Sequence, residues 1–330
     1  MKDTAENEKL SAGSECAPDP NPLVPTIFHE HWWLKAATGG AYEHVEVADG
    51  NRIVGRLPFA VTNRPGRRIS GLPTLTHILG PAIVESPGNS YKRFLHRYSI
   101  TKELINKLPK IDRFRQKLHR GDAEALAFQS EGFRSGIQFT FEIAAPTELE
   151  AWNGLRHKTR NVIRRLQDQL DVSEIADPEE FLRFYEQNLS TSGKLMLEPR
   201  TQVAAVCAAA LEKNAAKIFC AKDASSRLVG AIFLVADAKT AHYLMTTRAA
   251  DAPNGTVNLL IWHAIRFSTE RGLIFDFDGI VKEGAIPIYA AFGGQAKPIY
   301  IVSRESKKVK LVDCCRGIIG IFAEQTYFDR

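Results

Sequence analysis

The sequence has no apolar run of the roughly 18 residues that a membrane-spanning helix needs, so no transmembrane segment is expected. Cysteine is scarce: Cys16, Cys207, Cys220, Cys314 and Cys315 make an odd count of 5 in 330 residues, without metal-ligand spacing. That excludes a disulfide scaffold and fits a reducing cytoplasm. Residues 1–22 are polar and acidic and lack the apolar core of a secretory signal. Neither sign of charge dominates. A net charge of +5 permits an anionic partner without requiring one, and nothing points to DNA. The expectation is a soluble cytoplasmic protein. Its 330 residues, 44% hydrophobic, suffice for a large core and suggest two domains.

Residues 1–25 read as a flexible tail, too poor in apolar surface to offset the entropy of ordering. Phe28–Ala37 reads as a helix stopped by Gly39-Gly40. Its His29 and His31 mimic a metal motif, but a spacing of two puts them on different helix faces. Strands Tyr42–Ala48 and Arg52–Val61 follow, joined by Asp49-Gly50-Asn51, a hairpin signal. Asn63–Pro87 is a Gly/Pro/Arg-rich loop leading to a strand. Two basic helices, Tyr91–Leu108 and Ile111–Arg120, and two strands, Ala125–Phe128 and Ile137–Ile143, complete the first half.

After Ala144-Ala145-Pro146 a long helix is expected from Thr147 to about Leu170. It carries Arg156, Arg160 and Arg164 every four residues along one face. Helices Glu179–Leu189 and Val203–Leu211 precede a second hairpin, Ala216–Lys222 and Leu228–Ala236, and then strand Ala241–Thr247. Thr256 is positioned to cap the next helix, and Gly272 to end it. Leu273 to Asp278 alternates, with Leu273, Phe275 and Phe277 on one face and Ile274, Asp276 and Asp278 on the other. Two carboxylates on one face of a strand end are hard to explain as core and mark the expected site. A short helix and a strand to Val302 follow; Lys310–Val312 reads as a last strand.

The two hairpins match. HVEVADGNRIVGRLPFAV and KIFCAKDASSRLVGAIFLVA each run strand, charged turn, Val-Gly and apolar strand. Each follows a helix with aromatics. One copy per half, over a period above 100 residues, indicates a duplicated domain.

In order and spacing, TFEIAAPTELEAWNGLRHKTRNVIRRLQDQ, EEFLRFYEQNLSTSGK, LVGAIFLVADAKTAHYLMTTRA and LLIWHAIRFSTERGLIFDFDGI with IYAAFGG resemble the FemAB-like branch of the GNAT acyltransferase superfamily. The resemblance covers about residues 137–302. It implies an α+β (mixed α/β) chain of two tandem GNAT-like domains, each a mixed sheet flanked by helices, here 26–145 and 146–330. It also implies transfer of an acyl or aminoacyl group to an amine, with acyl-CoA, an acyl carrier protein or aminoacyl-tRNA as donor. The acceptor would be a small-molecule or nucleotide-linked amine, such as an amino sugar of a surface polysaccharide or an envelope precursor. No metal is expected.

Such chemistry needs a held donor, a polarised carbonyl and a deprotonated amine. The resemblance assigns polarisation to backbone N–H groups around Met245 and Thr247. Asp276 or Asp278, roughly 7 Å apart on a strand end, would take the proton, since a like-charged neighbour raises a carboxyl pKa. Tyr289 is a possible proton shuttle, with aromatic packing as its other reading. Donor phosphates would meet Arg248, Asn254, Gly255 and Thr256 at a helix N-terminus. This stretch lacks the glycine-rich loop of most CoA-using relatives. Relatives also carry Tyr-Lys before Phe-Gly, where this chain has Tyr289-Ala290; Lys282 is the available substitute. Arg156, Arg160 and Arg164 would contact substrate phosphates or else form a solvated face, and Lys194 falls where relatives place a substrate loop. The losses of the loop and the lysine also leave open a catalytically inactive binding module.

Overall fold

Alternation of apolar and polar residues becomes strands, and 3.6-residue periodicity becomes helices, in the computed structural model, which describes residues 21–119, 121–279, 283–307 and 309. The first half contains α1 (His31–Thr38), β1 (Tyr42–Asp49), β2 (Arg52–Ala60), β3 (Thr62–Arg64), β4 (Arg67–Ser70) and β5 (Ala82–Ile83). It continues with α2 (Ser90–Asn106), β6 (Arg113–Leu118), α3 (Asp122–Ser130) and β7 (Arg134–Ile143). The second half opens with α4 (Glu148–Gly154), α5 (His157–Gln167), β8 (Asp171–Glu174), α6 (Pro178–Thr191) and α7 (Arg200–Glu212). Then come β9 (Ala216–Lys222), β10 (Leu228–Ala236), β11 (Thr240–Arg248), α8 (Thr256–Thr269), β12 (Ile274–Asp276), α9 (Ile286–Ala291) and β13 (Gln295–Glu305). The fold is mixed α/β. Among the described residues no helix is long and apolar enough to cross a membrane.

β1, β2 and β5 form a small sheet; the other strands form one continuous sheet in the order β3-β4-β6-β13-β7-β12-β11-β10-β9-β8. The order at its centre ties the halves together. β7, the last strand of the first half, pairs antiparallel with β12 of the second. β13, the last strand of the second half, pairs antiparallel with β6 of the first. The two exchanged strands also pair with each other from Gln295↔Glu142 to Ser303↔Arg134. Each half is therefore completed by the other's final strand.

The two hairpins read from the sequence pack alike. Both hairpins form as expected, β1 with β2 and β9 with β10. In both, the glycine of Val-Gly is where a helix presses on the strand. A Cβ on Gly55 would lie 2.4 Å from Ile100 Cγ2 and 3.3 Å from Leu104 Cδ1 of α2. A Cβ on Gly230 would lie 2.6 Å from Thr256 Cγ2 and 3.2 Å from Leu260 Cδ1 of α8. Each pair of contacts is one helical turn, i and i+4, so α2 and α8 dock the same way.

Several expected elements differ. Ile111–Arg120 is not helical: Phe114, Gln116 and Leu118 are buried between half-buried Arg113, Arg115 and Lys117, the period-two pattern of strand β6. Ala125–Phe128 is helix α3, started by Asp122 and Glu124 in its first turn and stopped at Gly132, whose φ is 79°. The long helix is broken into α4 and α5 at Leu155, which is extended (φ −68°, ψ 138°). The break is fixed from outside, since Arg156 N–H donates to Ala291 O at 2.9 Å and a Cβ on Gly293 would meet Gly154 O at 2.9 Å. Lys310–Val312, Cys16, Cys314, Cys315 and residues 1–20 of the expected tail lie outside the described residues; Cys207 and Cys220 are buried thiols.

The tight glycine contacts predict that Gly55→Ala and Gly230→Ala each destabilise the fold by about 1–3 kcal/mol through overpacking. Gly136→Ala, in β7 with nothing within 4 Å of its Cβ position, is the control and should be near neutral. Equal urea midpoints for all three variants would contradict the helix–strand contact described.

Candidate active site

β12 is a short strand whose neighbours part at its end. β11 runs parallel to it for three pairs, Thr240↔Ile274, Ala241↔Phe275 and His242↔Asp276. Then Leu244 is bulged: Leu234 pairs with Tyr243, but Phe233 pairs with Met245. On the other side Asp276 pairs with Glu142, and Phe277 N–H donates to Phe141 O at 2.9 Å. Asp278 follows at the carboxyl end of this central strand, where β11 and β7 diverge. Crevices of this kind are where ligands enter open α/β sheets.

The alternation read from the sequence holds. Phe275 and Phe277 join the core under α8 with Ala241, Tyr243, Phe141 and Tyr289. Asp276, Asp278 and His242 turn to the opposite face, where Phe28 and the loop at His77, both from the first half, cover them. The Phe28 ring lies 4.8 Å from His242 and 6.5 Å from His77.

On that face the polar groups form one network. Asp276 accepts a short hydrogen bond from Thr140 Oγ1 and another from Asp278 N–H at 2.7 Å. Gly279 N–H donates to Thr140 Oγ1 at 2.9 Å. Asp278 Oδ1 lies 3.4 Å from His242 Nδ1, and Oδ2 lies 3.2 Å from His77 Nδ1. His242 Nε2 faces Asp237 Oδ2 at 3.9 Å, and that oxygen also accepts from Ile27 N–H at 3.1 Å. Asp237 Oδ1 accepts from Lys239 and Thr240 N–H, both at 2.9 Å. These bonds hold Asp278 in the left-handed region, φ 63°, which a non-glycine residue adopts only under constraint.

Burial and charge set the protonation states. Burial alone would push the His242 pKa down. The carboxylates of Asp237 and Asp278 beside its two nitrogens, with the charge of Asp276, overcome this and hold it at about 10. His242 is thus a buried imidazolium. Burial and then the Asp278 charge raise the Asp276 carboxyl, against the opposing pull of His242, Thr140 and the Asp278 N–H. For Asp237 burial acts upward, but the bond to His242 and its charge carry the pKa below the usual carboxylate range. Burial lowers the Lys117 ammonium of β6, which sits in the Asp278 field. Ligand atoms of His242, Asp276 and Asp278 lie within 4.8 Å of one another, a spacing that a cation bridges. The imidazolium itself supplies positive charge there.

The remaining sequence-derived residues spread around this centre. Tyr289 is buried and stacked on Phe277 (centroids 4.1 Å apart), and burial followed by the Asp278 charge raises its pKa. Met245 and Thr247 lie beyond the bulge, and Thr247 Oγ1 accepts from Asn188 Nδ2 of α6 at 3.0 Å. Because Ala249 N–H bonds Val229 O, strand alternation turns Met245 and Thr247 toward β10; Thr246 and Arg248 direct their N–H groups into the gap. Thr256 does not cap α8. It is the first helical residue, fully buried, and its hydroxyl donates to Pro253 O at 2.7 Å. Gly255 occupies the cap position at φ 99°, packed against Val162, and no side chain caps the helix. Arg248 and Asn254 are exposed beside it.

Arg156, Arg160 and Arg164 do not share one exposed face. Arg156 precedes α5, Arg160 is half-buried, and the Arg164 guanidinium lies 5.3 Å over the Trp152 ring. Lys194 is exposed in the loop after α6, beside exposed Leu195 and Leu197. Lys282 lies outside the described residues. The sequence reading missed His242, His77, Thr140, Asp237 and Lys117. A histidine at an inward position between Ala241 and Tyr243 of an apolar strand was the one local signal; the others meet only through the topology.

Residues 153–283 match the family model described as an acetyltransferase (GNAT) domain. The crystal structure of FemX is similar with a TM-score of 0.61 and 10% identity, over 82% of this chain and 90% of that one. L-PGS from Bacillus licheniformis is similar at 0.52 and 13% identity, over 86% and 90%. A conserved protein of unknown function from Bacteroides thetaiotaomicron is similar at 0.53 and 9% identity, over 82% and 91%. At these identities the structures establish a shared fold. No curated protein matches by sequence.

The two buried histidines predict a stability maximum near pH 6.5. Burial lowers His29 to about 4, so its unfolded form takes up protons first and stability falls as pH drops from 6.5 through 4. His242, raised to about 10, contributes stability that is complete below 6.5 and lost as pH rises through 10. Urea unfolding across this range should show both limbs, and His242→Gln should flatten the alkaline one. An unchanged alkaline limb in that variant would remove His242 as its source.

Proposed function

We propose that this FemAB-like GNAT acyltransferase moves an acyl group from an activated donor to an amine, with the reaction centred on Asp278. The observation that carries the reading is the carboxylate at the end of β12, where β11 and β7 part, inside the segment that matches the acetyltransferase domain. An amine arriving in that crevice lies over a fixed, buried carboxylate pair and the His242 imidazolium. A donor lying along the open edge of β11 meets outward backbone N–H groups, as carbonyl polarisation requires.

Acyl-CoA or an acyl carrier protein is the proposed donor. The uncapped first turn of α8 and exposed Arg248 and Asn254 suit its phosphates. Thr256 contributes only its backbone, since its side chain is buried. The proposed acceptor is a small-molecule or nucleotide-linked amine, an amino sugar or a polysaccharide or envelope precursor, with Arg156, Arg164 and Lys194 as its outer contacts. The second reading is an aminoacyl-tRNA-dependent transferase. The exposed basic residues of α5 favour it, whereas the segment between Leu170 and Glu179 forms the short strand β8 rather than a helical arm.

In the reaction the amine nitrogen attacks the acyl carbon, the C–N bond forms and the donor's C–S or C–O bond breaks. The amine's proton leaves through the polar network around Asp278. Proximity and a matched base are the protein's main contributions.

Two measurements test this. Thiol release from acetyl-CoA and longer acyl-CoAs in the presence of amino sugars should be saturable in both substrates. Asp278→Asn should lower kcat/KM by about 10²–10⁴, with Asp276→Asn also impaired. Wild-type rates in both variants would end the base assignment. A thermal-shift titration with CoA should show stabilisation of about 2.7 kcal/mol at one hundred times Kd. No shift with CoA and a shift with aminoacyl-tRNA would favour the second reading.

A further inference from the structure

We propose that the group touching the acceptor amine is Nε2 of His77, supplied by the first half, and that Asp278 orients this ring as its partner. The inference rests on the acyl-transfer reading above and assigns its proton path.

Exposure separates the candidates. The side chains of Asp278 and His242 are each 2% exposed, whereas that of His77 is 27% exposed. A carboxylate this deeply covered is reached by an acceptor only through a neighbour, and His77 is more exposed than Asp237, the 17% exposed carboxylate on the far side of His242. The tautomer follows from its contacts. His77 Nδ1 lies 2.7 Å from the Asp278 backbone oxygen. A carbonyl oxygen only accepts, so Nδ1 carries the hydrogen, and the same N–H is 3.2 Å from Asp278 Oδ2. In the neutral ring Nε2 is therefore left with a free lone pair. Among the described residues Nε2 makes no hydrogen bond or ion pair. A backbone oxygen bonded to Nδ1, a carboxylate oxygen 3.2 Å from it and a bare Nε2 resemble the orienter–base arrangement of nucleophilic and acid–base sites.

The loop is built to hold the ring still. Trp33 Nε1–H donates to Thr76 Oγ1 at 2.9 Å, Thr74 Oγ1 donates to Gln202 at 2.6 Å, and Thr74 N–H donates to Ala37 O at 3.2 Å. Leu75 between them takes a left-handed φ of 54°. Anchors from α1 and α7 thus fix the backbone on one side of His77, and Asp278 fixes its ring. Asp278 is in turn kept in its own left-handed conformation partly by the bond from His77.

The groups that face His77 are Asp278, Phe28 and, beyond Asp278, His242. The proton path balances. His77 Nε2 takes one proton from the acceptor's ammonium, and the free amine attacks the acyl carbon to give a tetrahedral adduct. Collapse breaks the bond to the donor's sulfur or oxygen, and the departing anion takes the second proton from nitrogen. The imidazolium then releases its proton to solvent from its exposed edge. One proton leaves per turnover. Asp278 Oδ2, 3.2 Å from Nδ1, faces the transient imidazolium.

The test uses the full chain. His77→Ala should lose about 10²–10⁴ in kcat/KM, and added imidazole should restore part of it, which a purely structural role does not allow. His77→Gln, which keeps a donor toward Asp278 and hence the loop, should keep the wild-type melting temperature. It should also lose kcat/KM as His77→Ala does. Nitrogen NMR of the imidazole should show the Nδ1–H tautomer in the wild type. An Nε2–H tautomer, or a wild-type rate in His77→Ala or His77→Gln, would each overturn the proposal while leaving acyl transfer standing. Absence of transfer by the wild type with every donor and amine would overturn both.

Discussion

An imidazolium in the interior needs negative charge on both of its nitrogens, and the arrangement of this protein's centre follows from meeting that need for His242. Asp278 lies on one side and Asp237 on the other. Taking such charges out of water costs several kcal/mol each unless they are paired and their remaining lone pairs satisfied. Backbone N–H groups of Ile27, Lys239 and Thr240 complete Asp237. His77 donates to the Asp278 backbone oxygen and sets its ring nitrogen 3.2 Å from the carboxylate Oδ2. Two of these groups, Ile27 and His77, belong to the first half. The second half therefore cannot hold its own carboxylates in their observed state unless the first half is docked.

The exchange of final strands makes that docking permanent. With β7 seated beside β12 and β13 beside β6, separating the halves would open ladders on both sides of the central pair. Thr140, the residue of β7 that bonds Asp276 and Gly279, reaches the site only because of the exchange. The same rigidity sustains the left-handed backbone at Asp278. Strain of this kind persists where surrounding contacts over-determine a conformation, and here they come from β7, from β12 itself and from the His77 loop.

How much of this was legible in the sequence divides along the range of the forces involved. The hairpins, the Val-Gly repeats and the alternation ending in Asp276 and Asp278 are local patterns, and all three formed as read. β6 was obscured because Arg113, Arg115 and Lys117 fill its alternate positions and mimic a basic helix. α3 was obscured because its apolar stretch is short, although Asp122, Glu124 and Gly132 carried the start and stop signals. The break between α4 and α5 has no local cause. It follows from Gly154 and Arg156 meeting the segment 291–293, distant in sequence. The site itself was half legible. Its carboxylates lie on one strand, but its histidines come from a Gly/Pro-rich loop and from the adjacent strand, and only the topology brings them together.

The duplication explains why one half carries the carboxylates and the other covers them. β6 is the first half's counterpart of β12: each follows a long helix, precedes a short helix and pairs antiparallel with the exchanged strand of the other half. On the face where β12 ends in Asp276 and Asp278, β6 presents Arg115 and Lys117, so the two copies differ there in the sign of their charge. Lys117 feels the Asp278 charge directly, and that carboxylate raises the lysine pKa against the lowering by burial and Arg115. Opposite signs on equivalent strands attract across the shared sheet, whereas two acidic copies would repel at the same place. The strand with Asp276 and Asp278 thus carries the chemistry in the proposed reaction, and the half that holds β6 provides the counter-charge and the cover over these buried carboxylates.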